Sequence, residues 1–464
     1  MVQTNTPGNE ALQGWADQPP PALFPTLSPQ GLALWRWMRQ HPHAPLFRNQ
    51  SGPRLSAAAQ QACRWRQAVW RHAPLPPPGL RGQQPWWLSP WLARRWPHIP
   101  AWAALGSKPL PWSDMPTTQR ADLSGDLARR VWATHPRAAQ EPLICFSTSG
   151  TTGHPLKVPS LPSVAADYRA FHQRALAHFG IRLRAGAGQV GAVLAGFQER
   201  CFTYASVNPL QGECGVVKLN LAVHEWRQAQ DRAAYLNALA PELISGDPVS
   251  LAELAGLEMQ HKPRALLSTS MALSHRLRQD LEARFACPVL DLYSMNEAGP
   301  IAVWQPAQQA WQPLQPGLFI EILDEQGHPQ PEGEPGEITL TGGFNPLLPL
   351  LRYRTGDHAR WVHRPSGWML VDLQGRSPVR FACTSGRWLN NIELTHLLQR
   401  HPLRRWALHQ AATGALHLRL DPWPADAERV QIATELQQLL GLWPLHITQL
   451  NTDDKVRQHT RDEP

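Results

Sequence analysis

A run of hydroxyl-bearing residues and glycines is the feature of the sequence most suited to chemistry. It follows the apolar residues 143–146, which predict a buried strand, and reads Ser147-Thr148-Ser149-Gly150-Thr151-Thr152-Gly153-His154-Pro155-Leu156-Lys157. Backbone N–H groups and hydroxyls in such a loop can surround the oxygens of a polyphosphate, and glycine lets the backbone approach a ligand closely. Because no G-x-x-x-x-G-K-[ST] pattern is present, the loop is not a Walker motif. The alternative is an ordinary Ser/Thr/Gly surface loop.

A second polar segment follows an apolar stretch and reads Asp291-Leu292-Tyr293-Ser294-Met295-Asn296-Glu297-Ala298-Gly299. It predicts a strand that ends in an aromatic residue, followed by a polar turn and a carboxylate. Ligands of α/β folds bind at the carboxyl ends of parallel strands, so Glu297 is a candidate ligand-binding residue. The alternative is an acid in the first turn of a helix, facing the helix dipole.

A third segment, Leu351-Arg352-Tyr353-Arg354-Thr355-Gly356-Asp357, ends in a carboxylate. A carboxylate has enough acceptor sites to take hydrogen bonds from both hydroxyls of a ribose. Taken alone, its last three residues would predict only a turn. Behind a phosphate-binding loop they favour nucleotide binding, with Asp357 as the best single candidate.

In this order the three segments resemble the motifs of the adenylate-forming superfamily, in particular its phenylacetate-CoA ligase-like branch. The segment ending in Asp357 matches the Tyr-Arg-Thr-Gly-Asp motif of the superfamily without substitution. Ser294 and Asn296 replace the Gly and Thr of a Tyr-Gly-x-Thr-Glu motif. In the first loop one residue separates proline from Lys157, which makes this lysine a weaker candidate than the hydroxyl residues. The resemblance extends over residues 110–457.

The resemblance implies that ATP binds with Mg²⁺ where these segments meet. Tyr293 would stack near the adenine, Glu297 would hold Mg²⁺ and Asp357 would bind the ribose. The nucleotide-binding residues that it implies are Thr148, Ser149, Gly150, Thr151, Thr152, Gly153, Tyr293, Ser294, Asn296, Glu297, Asp357 and Arg376. The catalytic residues that it implies are Lys455, Glu297 and Thr151.

The C-terminal part of the chain carries further matches. Gly375 and Arg376 resemble a hinge, and Ser385 and Gly386 resemble part of the glycine loop that lies near the pantetheine arm of coenzyme A. Lys455 resembles a lysine that would neutralise charge during adenylation. Asp454 replaces the glycine that usually precedes this lysine, so a solvated tail lysine is the alternative.

Composition limits the class of protein. A chain of 464 residues, 42% hydrophobic and 17% charged, fits a globular protein of two to three domains. The six cysteines have no C-x-x-C spacing, which predicts reduced, mostly buried thiols in a cytoplasmic protein. No membrane span and no signal peptide are expected. A net charge of +8 fits binding of nucleic acid, attraction of anionic nucleotides or a basic surface without a partner. The basic residues are dispersed, and no zinc-binding or nucleic-acid-binding motif is present.

The alternation of strand-like and helix-like stretches predicts an α/β fold. A large N-terminal domain (1–375) would contain helix-covered, mainly parallel sheets and a small β subdomain, followed by a small mobile α+β C-terminal domain (376–464). The large domain would comprise a Trp/Pro-rich helical lead-in (1–140), an α/β core (141–316) and the β subdomain (317–375). Helices are predicted at residues 163–179, with Ser163 as the N-cap, at 225–239, after the cap Asp247, and at 389–399 and 425–440. A strand is predicted at 318–323, after Gly317.

The function implied by the resemblance is ATP-dependent activation of a carboxylic acid, with an aromatic acid as one candidate, and transfer of the acyl group to coenzyme A. One alternative is transfer to an amine or to a carrier-protein thiol. Another is a nucleotide-binding protein without turnover, suggested by Asp454, Met271 and Pro378 at positions where relatives often differ. The expected partners are a small-molecule acid and coenzyme A or a carrier protein, with no nucleic acid, in a monomer or homodimer.

Overall fold

The computed structural model describes residues 19–80, 83–147, 156–198, 201–375, 379–386, 388–390, 394, 397–398, 400–403, 405–450 and 459–462. The α-helices of this part of the chain are α1 (Pro29–Gln40), α2 (Ala57–His72), α3 (Leu88–Arg95), α4 (Pro100–Ala103), α5 (Arg120–Gly125), α6 (Pro162–Ala177), α7 (Asp231–Leu239), α8 (Pro248–Ala255), α9 (His275–Phe285) and α10 (Asp426–Leu440). The strands are β1 (Ile144–Ser147), β2 (Lys157–Ser160), β3 (Val190–Gly196), β4 (Tyr204–Asn208), β5 (Cys214–Asn220), β6 (Leu243–Gly246), β7 (Ala265–Ser268), β8 (Val289–Met295), β9 (Gly299–Gln305), β10 (Ala310–Pro313), β11 (Leu318–Leu323), β12 (Gly336–Gly342), β13 (Leu350–Arg364), β14 (Gly367–Gln374), β15 (Arg380–Ala382), β16 (Trp388–Asn390), β17 (Arg405–Gln410), β18 (Leu416–Asp421), β19 (Leu445–Gln449) and β20 (His459–Arg461).

Twelve strands within the described ranges form one sheet in the order β11-β12-β13-β14-β10-β9-β8-β7-β6-β3-β5-β4. Neighbours from β5 through β3, β6 and β7 to β8 are parallel. The remaining pairs are antiparallel. The predicted α/β fold class is therefore confirmed, and the antiparallel strands of the predicted β subdomain continue the parallel sheet.

The parallel strands are apolar on both faces because helices cover both sides. Successive residues of β6 illustrate this, since Leu243 packs with the buried residues of α6 whereas Ile244 packs with those of α1, α7, α8 and α9. The side chains alternate with the two-residue period of a strand. Ligands of α/β folds bind at the carboxyl edge of such parallel strands.

The sheet curls strongly on its antiparallel side. Strands β8 and β13 are four steps apart in the sheet order, which would separate them by about 19 Å in a flat sheet with strands about 4.8 Å apart. Nevertheless the Tyr293 hydroxyl on β8 lies 2.7 Å from Asp357 Oδ2 on β13. The curl therefore brings together two segments that are distant both in the chain and along the sheet.

The residues that flank the predicted phosphate loop form a separate hairpin. Strand β1 pairs antiparallel with β2, and Ser147 is opposite Lys157 at the last position before the connection. The sequence predicted a buried strand here, but Leu143 is 65% exposed and β1 pairs with β2 rather than with the large sheet. The hairpin is anchored by Val158 of β2, which is buried beside Leu156, and Phe146 of β1 packs against the same cluster.

Two local predictions were wrong for physical reasons. Ser163 does not cap α6: Leu161 is the N-cap and Pro162 the first helical residue, a position that suits proline because its missing N–H needs no partner. The backbone N–H and hydroxyl of Ser163 both donate to Glu141, before β1. The helix predicted from residue 225 begins only at Asp231, because residues 223–225 form a separate 3₁₀ turn.

The C-terminal part contains a four-stranded sheet in the order β19-β18-β17-β20, with α10 contributing to its own apolar core. That core consists of residues between 379 and 447. Of the helix predicted at residues 389–399, Leu389 and Asn390 lie in β16, and most of the following residues lie outside the described ranges. The domain boundary at 375 and the mobility of this part stay predictions.

The six cysteines form no disulfide, and four of them are buried. None of the described helices is both long and apolar enough to cross a bilayer.

Candidate functional site

The first contact of the candidate site joins Tyr293 to Asp357. The Tyr293 hydroxyl donates to Asp357 Oδ2 over 2.7 Å. The Asp357 backbone N–H donates to Thr355 Oγ1, and that hydroxyl donates to the Ile338 carbonyl. Asp357 is 9% exposed, and its carboxylate is oriented by the hydroxyl of the partly buried Tyr293. An ionised carboxylate has about four acceptor positions, so one oriented in this way is suited to accept hydrogen bonds from hydroxyl groups.

The second contact joins Glu297 to Tyr353. The Tyr353 hydroxyl donates to Glu297 Oε1 over 2.7 Å, and Nη1 of Arg120 lies 3.5 Å from the same oxygen. Glu297 occupies the turn between β8 and β9, so it is not the first-turn acid of a helix. It is 4% exposed, and a carboxylate this buried requires such partners.

The two tyrosines act as hydrogen-bond donors. Burial, followed by the charge of Asp357, raises the pKa of Tyr293 well above its usual range. Burial and the charge of Glu297 raise the pKa of Tyr353, while nearby Arg120 opposes the rise. Both phenols are therefore protonated at neutral pH, and each orients one carboxylate oxygen.

The residues that flank the predicted phosphate loop lie in the same part of the molecule. Leu156 and Val158 are buried in one apolar cluster with Ala298 and Tyr353, and Tyr293 packs against that cluster. Asn345 donates from Nδ2 to the Pro159 carbonyl on β2. The hairpin that carries the loop is thus fixed against the two segments that carry Glu297 and Asp357.

Gly299 allows β8, β9 and the chain near Phe344 to approach closely at this site. It has φ of +71°, and a Cβ at this position would lie 2.5 Å from Phe344 Cε1 and 3.2 Å from Tyr168 Cε1. The Tyr168 and Phe344 rings meet edge to face at 4.9 Å, and the Tyr168 hydroxyl donates to the Asn296 carbonyl at 3.3 Å. The turn that bears Glu297 is therefore packed against α6.

We expect Gly299→Ala to destabilise the protein by about 2–4 kcal/mol, because it adds a steric clash to an unfavourable backbone conformation. Thermal unfolding followed by circular dichroism measures the effect. Gly343→Ala is the matched control, since Gly343 also has positive φ, +92°, but no atom lies within 4 Å of its Cβ position. Equal losses in the two variants would contradict the role assigned to the Phe344 contact.

The other sequence-predicted residues fall into three groups. Ser294 lies in β8 beside Tyr293, and Asn296 is an exposed residue of the turn that contains Glu297, so both are near the site. Ser385 and Gly386 form an exposed turn whose hydrogen bonds, as far as the structure describes them, stay within the C-terminal part, including Gly386 N–H to the Cys383 carbonyl. Outside the described residues lie Thr148, Ser149, Gly150, Thr151, Thr152, Gly153, Arg376 and Lys455.

The structure adds three residues that sequence reasoning did not assign to the site. Tyr353 was part of a recognised motif, and the alternation of side chains along a strand would have placed it on the same face as Thr355 and Asp357. Arg120 and Tyr168 had no signal in the sequence, because each reaches its partner over more than 120 residues of chain.

Gly375, which precedes the predicted hinge residue Arg376, lies beside Asp357. The distance from its Cβ position to Asp357 Oδ1 is 3.6 Å.

The donor set fits one mode of Mg²⁺ binding. Across the described ranges no group of three or more His, Cys, Asp or Glu side chains could hold a metal ion. Mg²⁺ is, however, commonly bound through one or two carboxylates, with substrate phosphates and water as the other ligands. Glu297 supplies one such carboxylate, so the residues fit a metal that arrives with a nucleotide.

Asp291 is a buried carboxylate on β8 that does not belong to this contact set. It lies 3.7 Å from Nη2 of Arg278, and both side chains are less than a tenth exposed. Burial raises the pKa of Asp291 to about 7, although Arg278 opposes the rise. The folded state therefore holds this proton more tightly than the unfolded state, and the stability that Asp291 contributes falls as pH rises between about 4 and 7.

The difference in stability between Asp291→Asn and the parent protein should depend on pH. Asp291→Asn should gain about 2 kcal/mol relative to the parent protein between pH 5 and pH 8, because the parent must ionise a buried acid over that interval. The difference between the two unfolding temperatures, measured at each pH, reports the gain. Asp280→Asn, at a surface pair with Arg276, is the control and should show no such trend. A constant Asp291→Asn difference from pH 5 to 8 would contradict the raised pKa.

Comparison with known proteins gives partial sequence matches. Residues 206–345 match the family model described as AMP-binding enzyme. A 152-residue segment is 27% identical to Protein CapK of Staphylococcus aureus and covers 32% of this chain and 30% of that protein. A 103-residue segment is 32% identical to the acetyl-coenzyme A synthetase of Wolinella succinogenes, covering 21% of this chain and 15% of the synthetase. The matches thus span less than a third of either relative.

A solved structure is similar over most of the chain. The 2-hydroxyisobutyryl-CoA ligase in the postadenylation state, in complex with 2-HIB-AMP, superposes with a TM-score of 0.55 and 17% identity, covering 87% of this chain and 88% of that one. At this identity the likeness establishes the fold, with a large N-terminal and a small C-terminal part.

Proposed function

We propose that this chain, which belongs to the adenylate-forming superfamily, uses ATP to convert a carboxylic acid into an acyl-adenylate and then transfers the acyl group to coenzyme A. The observation that carries the proposal is the convergence of two motifs distant in sequence with the residues that flank a third. The Tyr293–Asp357 and Tyr353–Glu297 hydrogen bonds join the two motifs. The residues that flank the predicted phosphate loop pack against both motifs.

The chemistry explains why such a site is needed. A carboxylate is a poor acyl donor because oxide is a poor leaving group. Attack of a carboxylate oxygen on the α-phosphorus of ATP forms the mixed anhydride and breaks the bond to the β-phosphate, releasing pyrophosphate. Attack of a thiol on the acyl carbon then releases AMP, and the thiol proton passes to solvent.

The described residues would contribute mainly by positioning the nucleotide. Asp357, oriented by Tyr293, would bind the ribose hydroxyls and fix the nucleotide along the carboxyl edge of the sheet. Glu297, oriented by Tyr353, would hold Mg²⁺, which when bound offsets the repulsion between the phosphates and the incoming carboxylate.

The residues outside the described ranges complete the proposal. The hydroxyl loop, Thr148 to Gly153, would surround the phosphates, and Lys455 would neutralise charge at the α-phosphate. After rotation about the Gly375–Arg376 hinge, Ser385 and Gly386 would come close to the pantetheine arm. The assignment to a phenylacetate-CoA ligase-like branch and an aromatic acid as substrate is supported only by the motif resemblance.

Pyrophosphate exchange tests the proposal directly. The protein, ATP, Mg²⁺ and labelled pyrophosphate are incubated with a panel of aromatic, aliphatic and hydroxy acids, and hydroxylamine traps any acyl-adenylate. Exchange with at least one acid is expected. Nucleotide binding without exchange for any acid would favour the alternative of a nucleotide-binding protein without turnover.

The acceptor needs a separate measurement. Mass spectrometry of reactions that contain the active acid and either coenzyme A, an amine panel or a phosphopantetheinylated carrier protein identifies the product. The proposal expects an acyl-CoA thioester, whereas an amide or an acylated carrier would support the second function considered above.

A further inference from the structure

The lead-in region contributes a residue to the candidate site. Thr118 forms a parallel bridge with Tyr353 on β13, since its N–H donates to the Arg352 carbonyl and its own carbonyl accepts from the Arg354 N–H. The Thr118 hydroxyl also donates to the Leu351 carbonyl. The segment before α5 is therefore attached to the strand that carries the Tyr-Arg-Thr-Gly-Asp motif.

The start of α5 then directs Arg120 to the buried carboxylate. Gln119 is the N-cap, and reciprocal hydrogen bonds with Asp122 form a capping box, which fixes the direction of the first turn. Leu123 is buried in the same apolar cluster as Leu156 and Tyr353. Arg120 Nη1 consequently lies 3.5 Å from Glu297 Oε1.

The two arginines of the motif itself point elsewhere. Arg352 donates to the Met115 and Gly327 carbonyls and lies beside Glu321. Arg354 pairs with Glu337 at 2.6 Å. These contacts commit both guanidinium groups to the packing of β13. Arg120 is thus the arginine that meets the Glu297 carboxylate in the part of the chain that the structure describes.

The balance of charges around Glu297 indicates what Arg120 would do when a nucleotide binds. Without ligand, Arg120 and the Tyr353 hydroxyl compensate the buried Glu297 carboxylate. If Mg²⁺ binds Glu297, it becomes the stronger counter-charge, and the ATP phosphates that it brings are strongly anionic. A guanidinium at this distance would then face phosphate oxygens, which its fork of N–H donors matches well.

We propose that Arg120, delivered by the lead-in segment, binds the phosphates of ATP at the Glu297 side of the site. The inference rests on the proposed function, because it requires ATP to bind here. The motifs alone predict nucleotide-binding residues only after position 147. The proposal adds a nucleotide-binding residue from the region before position 140.

Equilibrium binding of two ligands tests the proposal on the full chain. Dissociation constants are measured for α,β-methylene-ATP with Mg²⁺ and for adenosine, using the parent protein, Arg120→Gln and Arg120→Lys. Glutamine keeps an N–H donor for Glu297 but removes the charge. We expect Arg120→Gln to weaken binding of the ATP analogue about tenfold to one hundredfold, as for loss of a charge-assisted hydrogen bond, with adenosine binding unchanged. Arg120→Lys should lie between.

Arg130→Gln is the matched control. Arg130 follows α5, pairs with Asp122 at 3.4 Å and is 23% exposed, against 21% for Arg120. Binding of both ligands should be unchanged in this control. Equal weakening of both ligands by Arg120→Gln, or no weakening of either, would overturn the proposal and leave Arg120 as a structural counter-ion. A parent protein that binds neither ligand would instead refute the proposed function.

Discussion

Asp357→Asn should reduce ATP-dependent pyrophosphate exchange by about 100- to 1000-fold. The carboxylate is expected to accept both ribose hydroxyls, and each hydrogen bond to a charged group contributes about 1.5–3 kcal/mol. Asparagine has nearly the same size, but its NH₂ group cannot accept a hydrogen bond. It can still accept the hydrogen bond from Tyr293 with its carbonyl oxygen, so the local packing should survive. Steady-state kinetics with varied ATP measures the loss as a decrease in kcat/KM.

A surface carboxylate on the neighbouring strand provides the control for this measurement. Asp372 on β14 pairs with Arg360 at 3.1 Å, and its side chain is 57% exposed. Asp372→Asn removes the same charge from the neighbouring strand and should leave exchange unaltered. If Asp357→Asn keeps the parental kcat/KM for ATP while remaining folded, Asp357 does not bind the nucleotide.

Glu297→Gln should lower the rate of acyl-adenylate formation by about 100-fold or more and shift the Mg²⁺ dependence to higher concentrations. An amide oxygen is a weaker ligand for a hard cation than a carboxylate, and a bound metal contributes several kcal/mol of charge stabilisation. The glutamine carbonyl can still accept from the Tyr353 hydroxyl. Rapid-quench measurements of acyl-AMP across a Mg²⁺ titration separate metal binding from the chemical step.

Two further variants serve as controls for the measurement on Glu297→Gln. Glu297→Asp keeps the charge on a shorter side chain and should retain part of the activity. Glu325→Gln changes an exposed carboxylate in the turn after β11 and should behave like the parent. An unchanged Mg²⁺ requirement in Glu297→Gln would show that the metal is bound elsewhere.

The sequence predicted those features of the fold that depend on local pattern. The strand predicted from the segment after Gly317 has the bounds of β11, Leu318–Leu323, because apolar residues and a preceding glycine define it locally. The helix after Asp247 begins as predicted, with the aspartate side chain accepting from Ser250 N–H. Ser163 shows the limit of such rules, since it donates its N–H and hydroxyl to a long-range partner, Glu141, and does not accept a capping hydrogen bond.

The candidate site was predictable only as far as its motifs extend. Glu297 and Asp357 were identified from their neighbours in the chain, and the structure brings both to one cluster. Their partners could not be inferred in the same way, because the Tyr353–Glu297 and Arg120–Glu297 contacts join residues 56 and 177 positions apart. These contacts depend on the curl of the sheet, for which local periodicity carries no signal.

The curl also determines when the site can first exist during protein synthesis. Asp357 lies on β13, which is held in the sheet by β14, and β14 ends only at Gln374. When the ribosome has translated the predicted phosphate loop and the turn with Glu297, the nascent chain still lacks β13, which carries Asp357, and β14. If Asp357 binds the ribose as proposed, such a chain would gain its affinity for nucleotide only after about four-fifths of the polypeptide has been made.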